Sequence, residues 1–256
     1  MGSDSNYANS AFFGRPRRPK PLSRVERGMA RLPRLIVPEY PMHLVVRGND
    51  RQDIFRSEGD RVFFHRCLVE VTRRHGVEVH AYVLMSNHVH LLATGQATNS
   101  LAKMVQGMGR RYVSYFNYLH GRTGTLWEGR FHSSLVQEER YFFACHRYIE
   151  MNPVRAKLVQ RPGEYRWSSF ACNRMGKADD LVTPHAAYLS LGSTEPRRQS
   201  AYGFMFDKGM ADDDSIRDAL RRGAPLGDRQ FCKEIEEISG RRILPRPRGR
   251  PRKTPD

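Results

Sequence analysis

The segment from Val83 to Thr94 constrains the fold more than any other part of the sequence. It contains an apolar run, a short polar stretch at Ser86 and Asn87, and a second run in which side chains alternate. This pattern predicts two antiparallel strands joined by a tight turn. Alternate residues of a strand point to one face, so His88 and His90 are expected side by side, roughly 7 Å apart along the chain. Two such imidazoles can bind one divalent metal ion, although alternate histidines are more often ordinary polar residues of a sheet.

Predicted helices and strands surround this hairpin in a regular order. Ser57 and Asp60 have the spacing of a capping box that starts the first helix, and Gly76 is placed to end it. The order of strand, helix, strand, strand, helix, strand and helix predicts an α+β fold of the ferredoxin-like kind, an antiparallel sheet with helices on one side. The predicted strands cover residues 42–47, 77–83, 88–94 and 131–137, and the predicted helices cover residues 57–74, 99–119 and 138–151.

Composition divides the chain into four parts. Residues 1–28 are rich in Gly, Pro and Arg, which predicts a mobile basic arm before a domain over 29–175. Residues 176–240 predict a linker and a small helical unit that resembles a helix-turn-helix. The tail, 241–256, has no apolar periodicity, and we expect it to be disordered.

The charge of the chain indicates a polyanionic partner. It has 43 Lys and Arg against 27 Asp and Glu, a net charge of +16, which favours nucleic acid over a merely solvated basic surface. No apolar run approaches the roughly 20 residues of a membrane span, and the N-terminal residues lack the pattern of a secretory signal. The four cysteines have no spacing typical of disulfide frameworks or zinc fingers. We therefore expect a cytoplasmic, nucleoid-associated protein without a membrane partner.

The last predicted helix of the domain carries residues that can complete a site at the two histidines. Tyr148 and Asn152 are four residues apart and share one face of the helix. If that face packs on the sheet at His88 and His90, Asn152 can give an oxygen to a metal ion beside the Tyr148 hydroxyl. Free tyrosine has a pKa near 10 and is a poor nucleophile at neutral pH, and a divalent cation assists its attack on a phosphate. Judged from spacing alone, Tyr148 would more commonly be a core aromatic residue with a solvated hydroxyl.

Five motifs include this expected site and extend beyond it. They are Arg47-Gly48-Asn49 followed by Ile54-Phe55, Asn87-His88-Val89-His90-Leu91-Leu92, Gly124-Thr125-Leu126-Trp127-Glu128-Gly129-Arg130-Phe131, Tyr148-Ile149-Glu150-Met151-Asn152-Pro153-Val154-Arg155-Ala156, and Trp167-Ser168-Ser169. Together they resemble the HUH single-tyrosine transposases, and more closely the REP-associated tyrosine transposases, which are linked to repeated extragenic palindromes. The resemblance covers about residues 30–170, and Ser86 stands where proline is expected.

The resemblance implies a role for each site residue. His88 and His90 would bind a metal ion, Mg²⁺ or Mn²⁺, with Asn152 as a polar third ligand, and Tyr148 would be the nucleophile. The implied reaction cleaves and rejoins single-stranded DNA, in hairpins or repeated palindromes, through a 5′-phosphotyrosine. Related enzymes act as monomers or as homodimers, so the oligomeric state stays open. Tyr141, two turns earlier, is the main alternative nucleophile, but the family's Asn-Pro pair follows Tyr148.

A glycine-rich loop and the helix before it predict contacts with DNA. Trp127 can stack on a base and Arg130 can bind a phosphate, and a structural turn that packs the tryptophan on the sheet is an equal alternative. Arg110 and Arg111 lie on the polar face of the preceding helix. We therefore expect these residues to form part of a DNA-binding surface.

The C-terminal tail predicts a separate contact with DNA. Arg248, Arg250 and Arg252 belong to an extended Arg-Gly-Arg-Pro segment that resembles an AT-hook. Such a segment fits the narrow minor groove of A/T-rich DNA, where negative potential attracts arginine. A generic basic tail that binds phosphates is the plainer alternative.

Two other functions are compatible with the sequence. One is a domesticated DNA-binding protein that recognises repeated palindromes without catalysis. The other is a metal-dependent hydrolase of small phosphoesters, which leaves the basic surface and the tail without a role.

Overall fold

The computed structural model describes residues 34–208 and 213–244. The predicted basic arm, residues 1–28, lies outside these ranges. So do the three arginines of the AT-hook-like tail, Arg248, Arg250 and Arg252. In the described ranges, no helix is long and apolar enough to cross a membrane.

Four antiparallel strands form the sheet at the centre of the fold. They are β1 (Pro41–Arg47), β2 (Val77–Leu84), β3 (His88–Gly95) and β4 (His132–Leu135), and they lie in the order β2-β3-β1-β4. All three neighbouring pairs are antiparallel. This order and the helices between the strands confirm the predicted α+β, ferredoxin-like fold.

Two helices cover one face of the sheet, and a third covers the other. Helices α1 (Glu58–His75) and α2 (Ser100–Leu119) pack on the face that includes Leu91. Helix α3 (Glu138–Glu150) packs on the opposite face, where Leu92 joins the core cluster of that helix. The expectation that the helices lie on one side is therefore wrong. Helices lie on both faces because the strands are near-continuous apolar runs, which must be buried on both sides of the sheet.

Local capping explains where the first helix begins and ends. The Ser57 hydroxyl accepts a hydrogen bond from the Asp60 N–H, and the Asp60 carboxylate accepts the N–H groups of Arg56 and Ser57, both at 2.8 Å. Gly76 ends the helix in the left-handed region at φ 58°. The capping box and the stop predicted from sequence are thus both confirmed.

Within the described ranges, six helices follow α3. They are α4 (Asn152–Arg155), α5 (Phe170–Met175), α6 (Ala186–Leu189), α7 (Glu195–Lys208), α8 (Asp213–Arg222) and α9 (Arg229–Ser239). Helices α8 and α9 lie in the part of the chain for which a small helical unit is predicted, and that unit stays a prediction. Helix α7 was not predicted, because Gly203 in its interior lowers the helix propensity, and tertiary packing of Tyr202 and Phe206 against Tyr188 compensates.

This C-terminal region pairs with both outer strands of the sheet. Beyond β4, the Leu226 N–H donates to the Leu135 carbonyl at 2.7 Å. Beyond β2, the Leu84 N–H donates to the Trp167 carbonyl at 2.9 Å. The described residues from Arg34 onwards form one compact unit. The domain boundary predicted after residue 175 stays a prediction within that unit.

Candidate active site

The two histidines of β3 lie on the face of the sheet that α3 covers. Their ring centroids are 5.0 Å apart. The Nδ1 atom of His88 is hydrogen-bonded to Asn87 Oδ1 at 2.6 Å, and the Nδ1 atom of His90 is hydrogen-bonded to His43 Nε2 at 2.8 Å. Each ring is thus oriented through Nδ1, which leaves its Nε2 atom as the nitrogen suited to bind a metal.

His43 is a member of this cluster that the sequence analysis missed. It lies on β1, where its backbone partner is Leu92 of β3, so its side chain shares the face of His90. It is fully buried, and its Nδ1 atom has no hydrogen-bond partner among the described residues. The alternation of β1 could have indicated an inward His43, but its contact with His90 depends on a strand register that the sequence does not reveal.

Tyr148 packs directly against the histidines. Its ring lies edge-on to His43 at 5.7 Å and to His90 at 5.8 Å between centroids, and its side chain is almost fully buried. Tyr141, the alternative nucleophile, has Arg140 over its ring at 5.4 Å. Within the described part of the chain, no ring contact joins Tyr141 to the histidines. Of the two tyrosines, Tyr148 is therefore the one that faces the histidine cluster.

Asn152 is the first residue of α4, and its side chain turns back on α3. Its side-chain amide donates to the carbonyls of Tyr148 at 2.9 Å and Ile149 at 3.3 Å. Its Oδ1 atom is the part of the side chain that can still serve as a ligand. Across residues 34–208 and 213–244, no group of three or more His, Cys, Asp or Glu side chains could hold a metal ion. The donors present fit an ion held by two imidazoles and completed by oxygen atoms, such as that of Asn152 or of a bound phosphate.

Burial keeps the histidines neutral. It lowers the pKa of His43 to about 3, and nearby Arg155 contributes to this shift. It lowers the pKa of His88 to about 4, with a smaller effect from Arg47. The pKa of His90 is lowered well below its usual value, first by burial and then by His43 and His88. Neutral imidazole is the form that binds a metal, so the cluster is suited to that role at neutral pH.

Comparison with known proteins found a match for the part of the chain that carries this cluster. A family model described as IS200-like transposase matches residues 36–152. We call these residues, which are similar to that family, the transposase domain. The transposase domain contains all four predicted residues of the active site, which are His88, His90, Tyr148 and Asn152.

Two solved structures are similar to parts of this chain. A REP-associated tyrosine transposase bound to a REP hairpin shares 18% sequence identity, over 62% of this chain and 96% of that chain, with a TM-score of 0.48. A putative transposase from Deinococcus radiodurans R1 shares 20% identity, over 48% of this chain and 88% of that chain, with a TM-score of 0.34. No relative was found among curated proteins.

Two arginines from outside the transposase domain act on Tyr148. The Arg155 guanidinium lies over the Tyr148 ring at 4.2 Å, and its Nη2 donates to the Tyr148 carbonyl at 2.5 Å. The pKa of Arg217, on α8, is raised first by interaction with the Tyr148 side chain. Neither role was predicted from the sequence. Arg217 lies outside the transposase domain, so only the tertiary structure connects it with Tyr148.

A buried carboxyl group fixes the end of α3 close to Tyr148. Glu150 is completely buried and accepts three hydrogen bonds, from the Ser169 hydroxyl at 2.6 Å, the Asn173 amide at 2.9 Å and the Tyr202 hydroxyl at 2.6 Å. Burial raises the pKa of Glu150 to about 7, although these hydrogen bonds act in the opposite direction. Because its partners belong to the Trp-Ser-Ser motif, α5 and α7, the network connects the transposase domain to the helices that follow it.

The ionisation of Glu150 is expected to make stability depend on pH. Its folded pKa is raised from 4.5 to about 7, so the unfolded chain ionises first as the pH rises. The free energy of unfolding should therefore fall by about 3 kcal/mol as the pH rises between these two pKa values, and should lose nothing from this group at lower pH. Glu150→Gln removes this loss, so the unfolding free energy of the variant minus that of the wild type should increase with pH. Urea unfolding at about pH 5 and about pH 8 measures this difference.

The pH dependence of stability that comes from other titratable groups is common to the variant and the wild type, so it cancels in the difference. Burial lowers the pKa of His80 to about 4 and also lowers the pKa of His146, which makes stability increase with pH in both proteins. Glu78→Gln, at an exposed position of β2, is the matched control and should show no change with pH. A Glu150→Gln difference that is equal at both pH values would contradict the expectation.

Three of the predicted DNA-binding residues line one groove on the α2 side of the transposase domain. The groove has a volume of about 860 Å³, and Arg110, Trp127 and Arg130 line it together with Arg34 and Lys103. Trp127 also packs on the core, with its ring 6.1 Å from that of Tyr112. It therefore has the packing role of a structural turn and also forms part of the groove wall. Arg111, the fourth predicted DNA-binding residue within the described ranges, is directed elsewhere, since its guanidinium forms an ion pair with Glu70 of α1 at 2.5 Å.

Proposed function

We propose that this protein is a metal-dependent endonuclease and strand transferase that cleaves and rejoins single-stranded DNA of hairpin or REP type. The match of residues 36–152 to the model of IS200-like transposases supports a transposase-like action on DNA. The observation that carries the finer proposal is the packing of Tyr148 against His90, on the face that also presents His88. A tyrosine and a neutral imidazole pair at one site combine a nucleophile with ligands for a phosphate-binding ion.

Tyr148 is the nucleophile in this proposal. Its hydroxyl loses a proton to solvent, and the oxygen forms a bond with the scissile phosphorus. The bond from phosphorus to the 3′-oxygen breaks, which leaves a free 3′-hydroxyl and a 5′-phosphotyrosine. Attack by another 3′-hydroxyl on that phosphotyrosine reverses these changes and releases Tyr148. The phosphotyrosine retains the energy of the phosphodiester, so rejoining needs no nucleotide cofactor.

His88 and His90 would hold the divalent ion, Mg²⁺ or Mn²⁺, through their Nε2 atoms. Asn152 would contribute its Oδ1 atom. When bound, the ion neutralises phosphate charge and makes the phosphorus easier to attack. His43 would keep the His90 ring in place through the hydrogen bond at Nδ1.

DNA would be bound by the basic groove and by the tail. Arg110 and Arg130 are suited to phosphates, and Trp127 is suited to stacking on an unpaired base. Arg111 would have to exchange Glu70 for a phosphate. The tail residues Arg248, Arg250 and Arg252 would bind the minor groove of A/T-rich DNA, as the sequence predicts. The cytoplasmic, nucleoid-associated location and the choice between monomer and homodimer stay predictions.

The decisive experiment is a search for a covalent protein–DNA adduct. Labelled single-stranded oligonucleotides from the genomic sequence that flanks the gene are incubated with the protein, with Mg²⁺, with Mn²⁺ or with a chelator. We expect a band resistant to denaturation only with a hairpin-forming oligonucleotide and a metal ion. Tight binding without an adduct in either metal would favour the domesticated DNA-binding protein. Hydrolysis of a small phosphodiester without any DNA adduct would favour the hydrolase.

A further inference from the structure

Helix α8 brings charged residues to Tyr148 from outside the transposase domain. Its Ile216 is fully buried in the same apolar cluster as Tyr148. The segment after α8 is attached to the sheet at Leu226, whose N–H and C=O groups are both hydrogen-bonded to the chain at the end of β4. The helix is therefore held in a defined position over the end of α3.

Three charged side chains meet beside Tyr148. The Oδ2 atom of Asp213 is 3.2 Å from Nη1 of Arg155 and 3.9 Å from Nη2 of Arg217. The Arg155 guanidinium lies over the Tyr148 ring at 4.2 Å, and Ile216, the neighbour of Arg217, is buried in the same cluster as Tyr148. One carboxylate oxygen thus lies within 3.9 Å of two guanidinium groups, and one of these, Arg155, covers the tyrosine. The exposed Asp214 is a second acidic neighbour of Arg217, at 2.9 Å.

The arrangement has the features of an anion site. Two guanidinium groups beside one carboxylate oxygen provide the positive charge and the N–H donors with which arginine binds phosphate. Positive charge is unfavourable at this position, because the pKa of Arg155 is lowered first by burial and also by the neighbouring Arg217 and Arg147. Asp213 offsets this cost from a half-exposed position, with 30% of its side chain accessible. A partly exposed ion pair of this kind is weak enough to be exchanged for another anion.

We propose that Arg155 and Arg217 form a binding site for one phosphodiester group of DNA beside Tyr148, and that Asp213 occupies this site until DNA displaces its carboxylate. The inference rests on the proposed function, because it names the part of the substrate that meets Tyr148. Arg155 and Arg217 then hold a phosphate within reach of the tyrosine hydroxyl. Asp213 restricts the site to ligands that compete successfully with a carboxylate.

The test compares two neutral variants of the same helix. Asp213→Asn removes the bridging carboxylate, whereas Asp218→Asn removes a carboxylate that is paired with Arg221 and Arg222 and has no part in the site. Both change the net charge equally. The probe is an oligothymidylate of about 12 nucleotides, titrated by fluorescence anisotropy at fixed salt with a chelator present. We expect Asp213→Asn to bind at least about threefold more tightly than the wild type, and Asp218→Asn to stay within about twofold.

Arg217 provides the second arm of the test. Arg217→Ala should weaken binding about three- to tenfold, and adding Asp213→Asn to it should then produce little further gain. Circular dichroism checks that each variant is folded, and Arg217→Lys, which keeps the charge but loses the planar fork, replaces the alanine variant if that one is not. With the lysine variant, the gain from Asp213→Asn should be reduced.

The outcomes separate this inference from the proposed function. Equal affinities of Asp213→Asn and Asp218→Asn would show a general charge effect and overturn the site. A gain from Asp213→Asn that persists undiminished with Arg217→Ala would overturn it as well. Because the titrations need neither metal nor cleavage, they can support the phosphate site even if no adduct forms. Conversely, an adduct with equal affinities would support the proposed function and reject the site.

Discussion

Replacement of Tyr148 by phenylalanine is expected to abolish covalent attachment to DNA and to reduce cleavage by at least about 10³-fold. The variant loses the attacking oxygen but keeps the ring that packs against His43, His90 and Arg155. Because the fold and the basic groove are unaffected, the affinity for a hairpin oligonucleotide should stay within about threefold of the wild type. Denaturing electrophoresis measures the adduct, and anisotropy measures binding.

Tyr141→Phe is the matched control for this experiment. Tyr141 lies on the same helix, is packed against the same apolar cluster and has no ring contact with the histidines among the described residues. The control should therefore cleave at a rate close to that of the wild type. Normal cleavage by Tyr148→Phe together with loss of cleavage in the control would transfer the role of nucleophile to Tyr141.

Removal of the histidine pair is expected to have the second largest effect. His88→Ala, and separately His90→Gln, should each reduce metal-dependent cleavage by on the order of 10²-fold or more, since each removes one of two imidazole ligands. Glutamine is preferred at position 90 because an alanine would leave the buried His43 without its partner. Calorimetric titration with Mn²⁺ should show weaker binding for both variants in the absence of DNA.

His75→Ala is the control for these variants. His75 lies in the last turn of α1, away from the face that carries His88 and His90, and should leave both Mn²⁺ binding and cleavage unchanged. If His88→Ala retained full metal-dependent cleavage, the ion would have to be held elsewhere, and the proposed ligand set would be wrong.

Features determined by residues close in sequence were predictable. The capping box of Ser57 and Asp60 is a local arrangement, and the alternation around His88 and His90 determines which side chains share a face whatever the rest of the chain does. The spacing of Tyr148 and Asn152 likewise follows from helix geometry. The packing of Tyr148 beside His90 meets the condition on which the predicted site depends for that residue.

Features that depend on distant pairing were not predictable in the same way. His43 meets His90 only because β1 and β3 pair in one particular register. Arg217 reaches Tyr148 through the packing of α8, for which no motif exists in the sequence. The position of α3 was missed for a related reason, since apolar runs in strands show that both faces are buried but not what covers each.

The pairing of the C-terminal region with the sheet bears on how copies of this chain can associate. Unpaired groups on outer strands are ready-made templates for joining two sheets edge to edge. Here the Leu135 carbonyl is already bonded to Leu226, and the backbone of Tyr82 and Leu84 is already bonded to Trp167 and Ser169. A homodimer formed through those same groups would first have to displace the chain's own segments. Self-association by strand pairing at these positions is therefore opposed by the fold, and any dimer that avoids this cost must use another surface.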